Sequence, residues 1–217
     1  MIDLHTHSLL SDGVLLPSEL TRRAEENGYQ IIAITDHVDF SNVERVIPSI
    51  LKSVEHINRS MKIRAIAGCE ITHISPLEIP AIVQMCRKLG AQIVVMHGET
   101  PIEPVMKGTN KKAIESNVDI LAHPGLLSED EAKLAVENNV CIEITTRKGH
   151  CLGNGRIVQL WYKYGFRMVL NTDTHQPSDL INDEFAKKVI LCAGVNPSEI
   201  NTILQNSYTL ANSILNM

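Results

Sequence analysis

The chain has 217 residues, 44% of them hydrophobic, which is enough for one domain of generous size with a substantial core. A formal net charge of −5 offers no general attraction to nucleic acid or to an anionic membrane, and no segment approaches the roughly 20 apolar residues that span a bilayer. Five cysteines without a CxxC pair suit reduced thiols, and the chain opens on a strand pattern instead of a basic-then-apolar leader, so a cytoplasmic single domain over 1–217 is expected.

Along the chain, short runs rich in Ile and Val alternate with amphipathic stretches, the signature of βα units around a parallel sheet. The first run, 2–5, leads into His5 and His7; on a strand such an i, i+2 pair projects to one face and forms a chelating pair. An SDG turn with Asp12 follows, and a helix starts at Pro17 and stops at Gly28. The second run, 30–35, leads into TDH with His37. The third, 63–68, leads into GCE with Glu70, and a helix over 76 or 77 to 89 ends at Gly90. The fourth, 92–96, runs into MHGE with His97, and the fifth, 118–122, into LAHPG with His123. Ser128 and Glu131 form a capping box for the next helix. The sixth run, 140–145, delivers Arg147, Lys148 and His150, and a helix over 155–164 ends at Gly165. The seventh, 166–172, runs into NTDTH with Asp173 and His175, and helices over 180–192 and 197–215 complete the chain.

Six of the seven strands therefore end in a potential metal ligand. Of nine histidines, six lie at these ends, while His56, His73 and His150 fall in helix or loop. In a (β/α) barrel the C-terminal ends of all strands point at one mouth, so residues far apart in sequence converge there. An open sheet would spread them along an edge, and the barrel is the architecture that gives the pattern a purpose.

HTHS followed by SDG, then TDH, a lone Glu after the third strand, His97, His123 and a final DTH resemble the polymerase and histidinol phosphatase (PHP) superfamily. HGETPIEPV, ILAHPG, EITTRKGH and TDTHQPSDL are similar to its small stand-alone, histidinol-phosphatase-like members. The resemblance implies an α/β fold, a distorted TIM-like (β/α)7 barrel, holding three divalent ions. Carried over, His5, His7, Glu70 and Asp173 would hold one ion, Glu70, His97 and His123 a second, and Asp12, His37 and His175 the third. Nitrogen and oxygen ligands without thiolate suit Zn²⁺, Mn²⁺ or Fe²⁺. Three such ions against three carboxylates leave a charge of about +3, which suits a phosphate.

The implied activity is hydrolysis of a small-molecule phosphate monoester such as histidinol phosphate, a step of histidine biosynthesis, by a metal-acidified water. Asp12, Glu70 and His175 are the catalytic candidates, with Asp12 able to protonate the leaving group. Arg147, Lys148 and His150 sit where substrate phosphate would bind, Arg147 through a planar two-point contact. Lys107, Lys111, Lys112 and Arg156 read more simply as solvated surface, Asp36 as an orienter of His37 or an outward-facing residue, and Glu143 equally as such a residue or as a barrel-interior carboxylate. Two alternatives stay open, a phosphodiesterase, nuclease or nucleotide phosphatase, and a non-catalytic subunit of the ribonuclease P type. The acidic balance and an aromatic content of 4% argue against a nucleic-acid substrate, and the full ligand set argues for catalysis.

Overall fold

The computed structural model describes residues 1–216. Eight short strands form one parallel sheet: β1 (Ile2–Asp3), β2 (Ile31–Ile34), β3 (His37–Val38), β4 (Arg64–Ile71), β5 (Ile93–His97), β6 (Ile120–Ala122), β7 (Cys141–Thr145) and β8 (Met168–Asn171). Their spatial order is β1-β2-β4-β5-β6-β7-β8, with β3 also paired to β4. β3 prolongs β2 around a two-residue break: Ile31 to Ile34 face Arg64 to Ala67, and His37 and Val38 face Glu70 and Ile71. The seven expected strand positions are thus filled by eight strands.

The sheet closes through an irregular seam. Thr6 and Thr174 form a single parallel bridge, with the His7 N–H donating to the Thr174 carbonyl at 2.8 Å and the Asp173 N–H to the His5 carbonyl at 3.0 Å. Below it side chains replace the ladder, as the Leu4 N–H donates to Asn171 Oδ1 at 2.9 Å and the Thr172 N–H to Asp3 Oδ1 at 3.2 Å. The result is a distorted TIM-like barrel.

Eight helices, α1 (Pro17–Glu26), α2 (Val43–Ser60), α3 (Ile79–Lys88), α4 (Thr109–Glu115), α5 (Glu129–Glu137), α6 (Asn154–Tyr164), α7 (Asp183–Cys192) and α8 (Ile200–Leu215), follow the strands. The expected signals operate: Pro17 opens α1, the Ser128–Glu131 box caps α5, and Gly165 at φ +74° ends α6. Some boundaries differ. α7 starts at Asp183 because the Asn182 side chain accepts from the Phe185 N–H at 2.8 Å. The segment from 197 splits into a 3₁₀ turn, Pro197–Glu199, and α8. α2, bounded by neither Gly nor a side-chain cap, buries Val43, Val46, Ile47, Ile50, Val54 and Ile57, an i, i+3, i+4, i+7 stripe.

Apolar packing falls into two layers. The larger lies between the sheet and the surrounding helices. The smaller fills the barrel: Leu4, Ile31, Ala33, Ile66, Ile93, Val95, Ile120, Ala122, Cys141 and Val169, joined by Leu210 and Ala211 of α8. Gly68 belongs to this interior row between Ile66 and Glu70, and a Cβ there would lie 2.4 Å from Ile93 Cγ2, so only glycine fits. Among the described residues no helix is long and apolar enough to cross a membrane, and all five cysteines are free.

Candidate metal centre

Interior positions alternate along a strand, so the row that is apolar at the bottom of the barrel continues upward into Glu70, His97 and Glu143. β4 runs three residues past the expected end at Gly68, which places Glu70 inside the strand, opposite Val95 on one side and His37 on the other. β1 stops at Asp3, yet the Thr6–Thr174 bridge keeps the next residues extended, and His5 and His7 share the inner side. Both imidazoles are fully buried, with ring centroids 5.1 Å apart. The SDG turn then folds back over them. A Cβ on Gly13 would sit 2.4 Å from the His7 carbonyl oxygen. Asp36, buried, fixes this loop by accepting from Ser8 N–H (2.8 Å) and Oγ (2.7 Å) and from Ser11 N–H (2.9 Å) and Oγ (2.7 Å), leaving Asp12 half exposed over the mouth.

All nine candidate ligands converge. Glu70 is the hub: its Oε2 lies 2.9 Å from His37 Nδ1, 3.3 Å from His5 Nε2 and 3.5 Å from His7 Nε2, and its Oε1 3.7 Å from His123 Nε2. Asp173 Oδ1 is 3.2 Å from His7 Nε2 and 3.7 Å from His5 Nε2. Asp12 Oδ2 is 3.2 Å from His175 Nε2 and 3.6 Å from His37 Nε2. His97 stacks edge-on to His123 with centroids 4.5 Å apart.

Several imidazoles are held by one nitrogen so that the other faces the cluster. His5 Nδ1 is 2.9 Å from Glu143 Oε2, His97 Nδ1 is 3.1 Å from the Gly98 carbonyl, and His175 Nδ1 is 2.9 Å from the Asp173 carbonyl. These acceptors fix a hydrogen on Nδ1 and aim Nε2, the nitrogen that ligates when the ring is neutral, at the cluster, the outer-shell arrangement of metal-binding histidines. Glu143 is itself oriented by the Asn171 side-chain amide, which donates to Oε2 at 2.8 Å.

Charge is sorted within the cluster. Burial alone would lower the His5 pKa, but Glu70, Glu143 and Asp173 outweigh it and hold it well above the usual histidine value. His37, opposed by burial and favoured by Glu70, is raised to about 9. Burial, with neighbouring imidazoles, drives His7 and His123 well below the usual value. Burial pushes Asp173 up to about 7, whereas for Glu70 it is overcome by His5 and His37, which hold that carboxyl well down. Positive charge is thus stabilised where carboxylates meet and rejected where imidazoles crowd.

The donor set fits divalent cations. Ten buried side-chain polar atoms lack a hydrogen-bond partner among the described residues, and nine of them belong to this cluster: both ring nitrogens of His7 and His123, His5 Nε2, both Glu70 oxygens, Glu143 Oε1 and Asp173 Oδ1. Such atoms are costly to bury unpaired. Ligand atoms around a tetrahedral ion with bonds of 2.0–2.1 Å are about 3.3 Å apart, and around an octahedral one about 2.9 Å; the separations above cluster near these edges. Sets with all ligand atoms within 4.8 Å of one another include His5, His7 and Glu70; His5, His123 and Asp173; and His7, Asp12, His37 and His175. Backbone strain concentrates here too. Besides two asparagines that follow helices, the non-glycine residues at positive φ are His73 (52°), His123 (30°) and Asp173 (54°), a conformation that costs on the order of 1–3 kcal/mol each.

The remaining site candidates separate. Arg147 reaches the mouth, but its Nη1 donates to Asp179 Oδ2 at 2.9 Å, which ties the β7 loop to the segment after Asp173. Arg147 lines both a cavity of about 240 Å³ over the metal ligands and an adjoining one of about 400 Å³. Lys148 is exposed and lines only the larger. His150 is buried, with Nδ1 2.8 Å from Thr100 Oγ1, and stands with His97 and His123 in a further set of possible ligands. Burial lowers its pKa to about 4. Lys111 and Lys112 pair with Glu115, and Arg156 turns to the Leu127 carbonyl and Gln159, away from the mouth. Sequence reasoning missed the parts played by Glu143, Glu103 and His73. Glu143 was accessible from the alternation Cys141, Glu143, Thr145 in an otherwise apolar strand. Glu103 and His73 lie in loops, where no periodicity points a side chain. Hydrogen bonding from His97 leads the effects that lower the Glu103 pKa to about 2.

A family model described as PHP domain matches residues 3–214. The chain belongs to the PHP domain family. A relative from Methanocaldococcus jannaschii, the uncharacterized protein MJ1295, is 47% identical over 205 residues, covering 93% of this chain and 94% of its own. A protein of Acetivibrio thermocellus named "Probable phosphatase" is 28% identical over 204 residues, 81% of this chain and 79% of that one. In solved structures the same barrel occurs in a chain of archaeal ribonuclease P with mature tRNA, with a TM-score of 0.74 and 19% identity over 99% of this chain and 91% of that chain.

Proposed function

We propose that this PHP protein is a metal-dependent phosphoesterase that hydrolyses a small-molecule phosphate monoester, in the manner of a histidinol phosphatase. The observation that carries the reading is the convergence at one barrel mouth of eight unpartnered buried atoms from His5, His7, Glu70, His123 and Asp173; the relative named a probable phosphatase supports the reaction class. His5, His7, His37, His97, His123, Glu70, Asp12, Asp173 and His175 would hold three divalent ions, with Glu70 shared between two. When bound, such ions acidify water and neutralise phosphoryl oxygens.

The chain's own residues do the rest. Glu143 fixes the His5 ring, and Asp173 through its carbonyl fixes that of His175, so the ligands are set before substrate arrives. Asp12, the most exposed of the nine, would relay a proton from solvent water to the departing alkoxide. Counting Glu143 and Glu103 with the three ligand carboxylates lowers the residual charge from about +3 to about +1, still suited to a phosphate dianion. The phosphoryl group would occupy the smaller cavity and the organic part the larger, lined by Lys148, Gln176 and Ser178, with Arg147 between them.

A second reading, an RNA-associated subunit, is favoured by the likeness to the ribonuclease P chain. One comparison separates the two. The Mn²⁺-, Zn²⁺- or Fe²⁺-loaded protein is assayed on histidinol phosphate, nucleoside monophosphates, bis-p-nitrophenyl phosphate and tRNA. Monoester hydrolysis well above diester hydrolysis is expected. Faster diester cleavage, or tRNA binding without hydrolysis, would transfer the chain to the other reading.

A further inference from the structure

At the outer edge of the mouth three imidazoles surround one carboxylate that is not among the nine. Glu103 Oε2 lies 3.0 Å from His73 Nε2 and 3.2 Å from His97 Nε2, and its Oε1 lies 3.3 Å from His150 Nε2. His73 follows β4, Glu103 follows β5, and His150 follows β7. His97 Nδ1 faces a carbonyl, which can only accept, so the neutral ring presents a lone pair to the carboxylate at Nε2 and only the imidazolium donates to it there. A lone pair 3.2 Å from a carboxylate oxygen repels it unless a proton or a cation mediates. The separations again match the edges of a coordination polyhedron built on bonds of about 2.0–2.1 Å, and the ligand atoms of His73, His97 and Glu103 all lie within 4.8 Å of one another.

The backbone is built to hold this arrangement. His73 sits at φ +52°, in the left-handed region that few non-glycine residues adopt. Ile102, beside Glu103, packs against Gly149, where a Cβ would come within 2.6 Å of its Cδ1. The loop carrying Glu103 is thereby seated on the loop carrying His150. The Glu103 and His73 side chains are 36% and 39% exposed, whereas that of His97 is 4% exposed, so the trio leads from solvent to the buried cluster.

We propose that Glu103 and His73 are further ligands of the divalent ion that His97 holds, closing it on the solvent side. The inference rests on the reading of the mouth as a metal centre. It gives this ion two solvent-facing ligands beyond the buried His97, His123 and Glu70.

The test counts ions in the full chain loaded with Zn²⁺ and then challenged with graded chelator, in wild type, Glu103→Ala, Glu103→Asp and His73→Ala, with thermal melts to verify folding. One ion per chain should dissociate at about 10- to 100-fold lower chelator concentration in Glu103→Ala and in His73→Ala. The other ions should be unaffected, and Glu103→Asp should recover part of the loss. In Co²⁺-loaded protein the same two alanine variants should change the visible absorption of one ion. If both keep the wild-type count, chelator resistance and spectrum while wild type holds its ions, this ligand assignment is overturned and the metal centre stands. If wild type binds no ion, both fall together.

Discussion

At the N-terminal end of the barrel, Leu210 and Ala211 of α8 join Leu4, Ile31, Ile66 and Val169 in an apolar plug. At the C-terminal end, interior positions of the sheet and of the segments that continue it are Glu70, His97, Glu143 and Asp173, all buried and all ionisable. A few ångströms along one cylinder separate side chains that gain by leaving water from side chains that lose by it. Stability is supplied at one end and chemistry at the other, and the strained backbone at His123 and Asp173 lies at the end that does chemistry. The two ends should therefore respond to substitution independently.

The largest expected effect is at the hub. Glu70→Gln should lower phosphatase turnover by about 10³-fold or more and reduce bound metal, with the far-ultraviolet spectrum unchanged; full activity with full metal content would remove Glu70 from the centre. Next, at the opposite end, Leu210→Ala should cost about 2–4 kcal/mol in denaturant unfolding while the folded fraction keeps its metal and turnover. Loss of metal from folded Leu210→Ala would show that the ends are coupled. Glu143→Gln, which touches His5 without being one of the nine, should weaken metal retention by about 10- to 100-fold at little cost in stability. Arg147→Ala should raise KM by about 10-fold and change kcat less, since the guanidinium is already held by Asp179 and acts at the boundary of the two cavities.

The smallest effect concerns pH. Asp119, near the start of β6, pairs with Arg87 at 2.6 Å, yet burial raises its carboxyl above the ordinary 3.8. The folded state thus keeps this proton to higher pH than the unfolded chain does. Stability from this group is full at low pH and falls as pH rises above the ordinary carboxylate range. Comparing unfolding of wild type and Asp119→Asn from pH 4 to 7 should reveal that slope in wild type alone.

Much of the centre was legible in the sequence because its ligands sit at strand ends, and a barrel gathers strand ends whatever their separation along the chain. The resemblance to the PHP superfamily groups Asp12 of the SDG turn with His37 and His175, and the three lie together around Asp12. The seam was not legible. Thr6, Asn171 and Asp3 close the barrel through one bridge and side-chain hydrogen bonds, for which no periodicity exists. Loop carboxylates were equally opaque. Glu99 and Glu103 stand four residues apart in one proline-containing loop; Glu99 accepts from the Gly108 and Asn110 N–H groups and holds the loop together, while Glu103 turns to the imidazoles. His150 reads as a basic substrate contact in TTRKGH; the 3₁₀ turn His150–Gly153 sets it against Thr100, where it lines the cavity over the metal ligands together with Arg147.

The most direct test of the centre is anomalous diffraction, at the absorption edge of the metal, from crystals grown with Zn²⁺ or Mn²⁺. The account predicts three peaks at the mouth within coordination distance of the nine side chains, two of them sharing Glu70. A mouth without anomalous signal while the protein binds the metal elsewhere would contradict it.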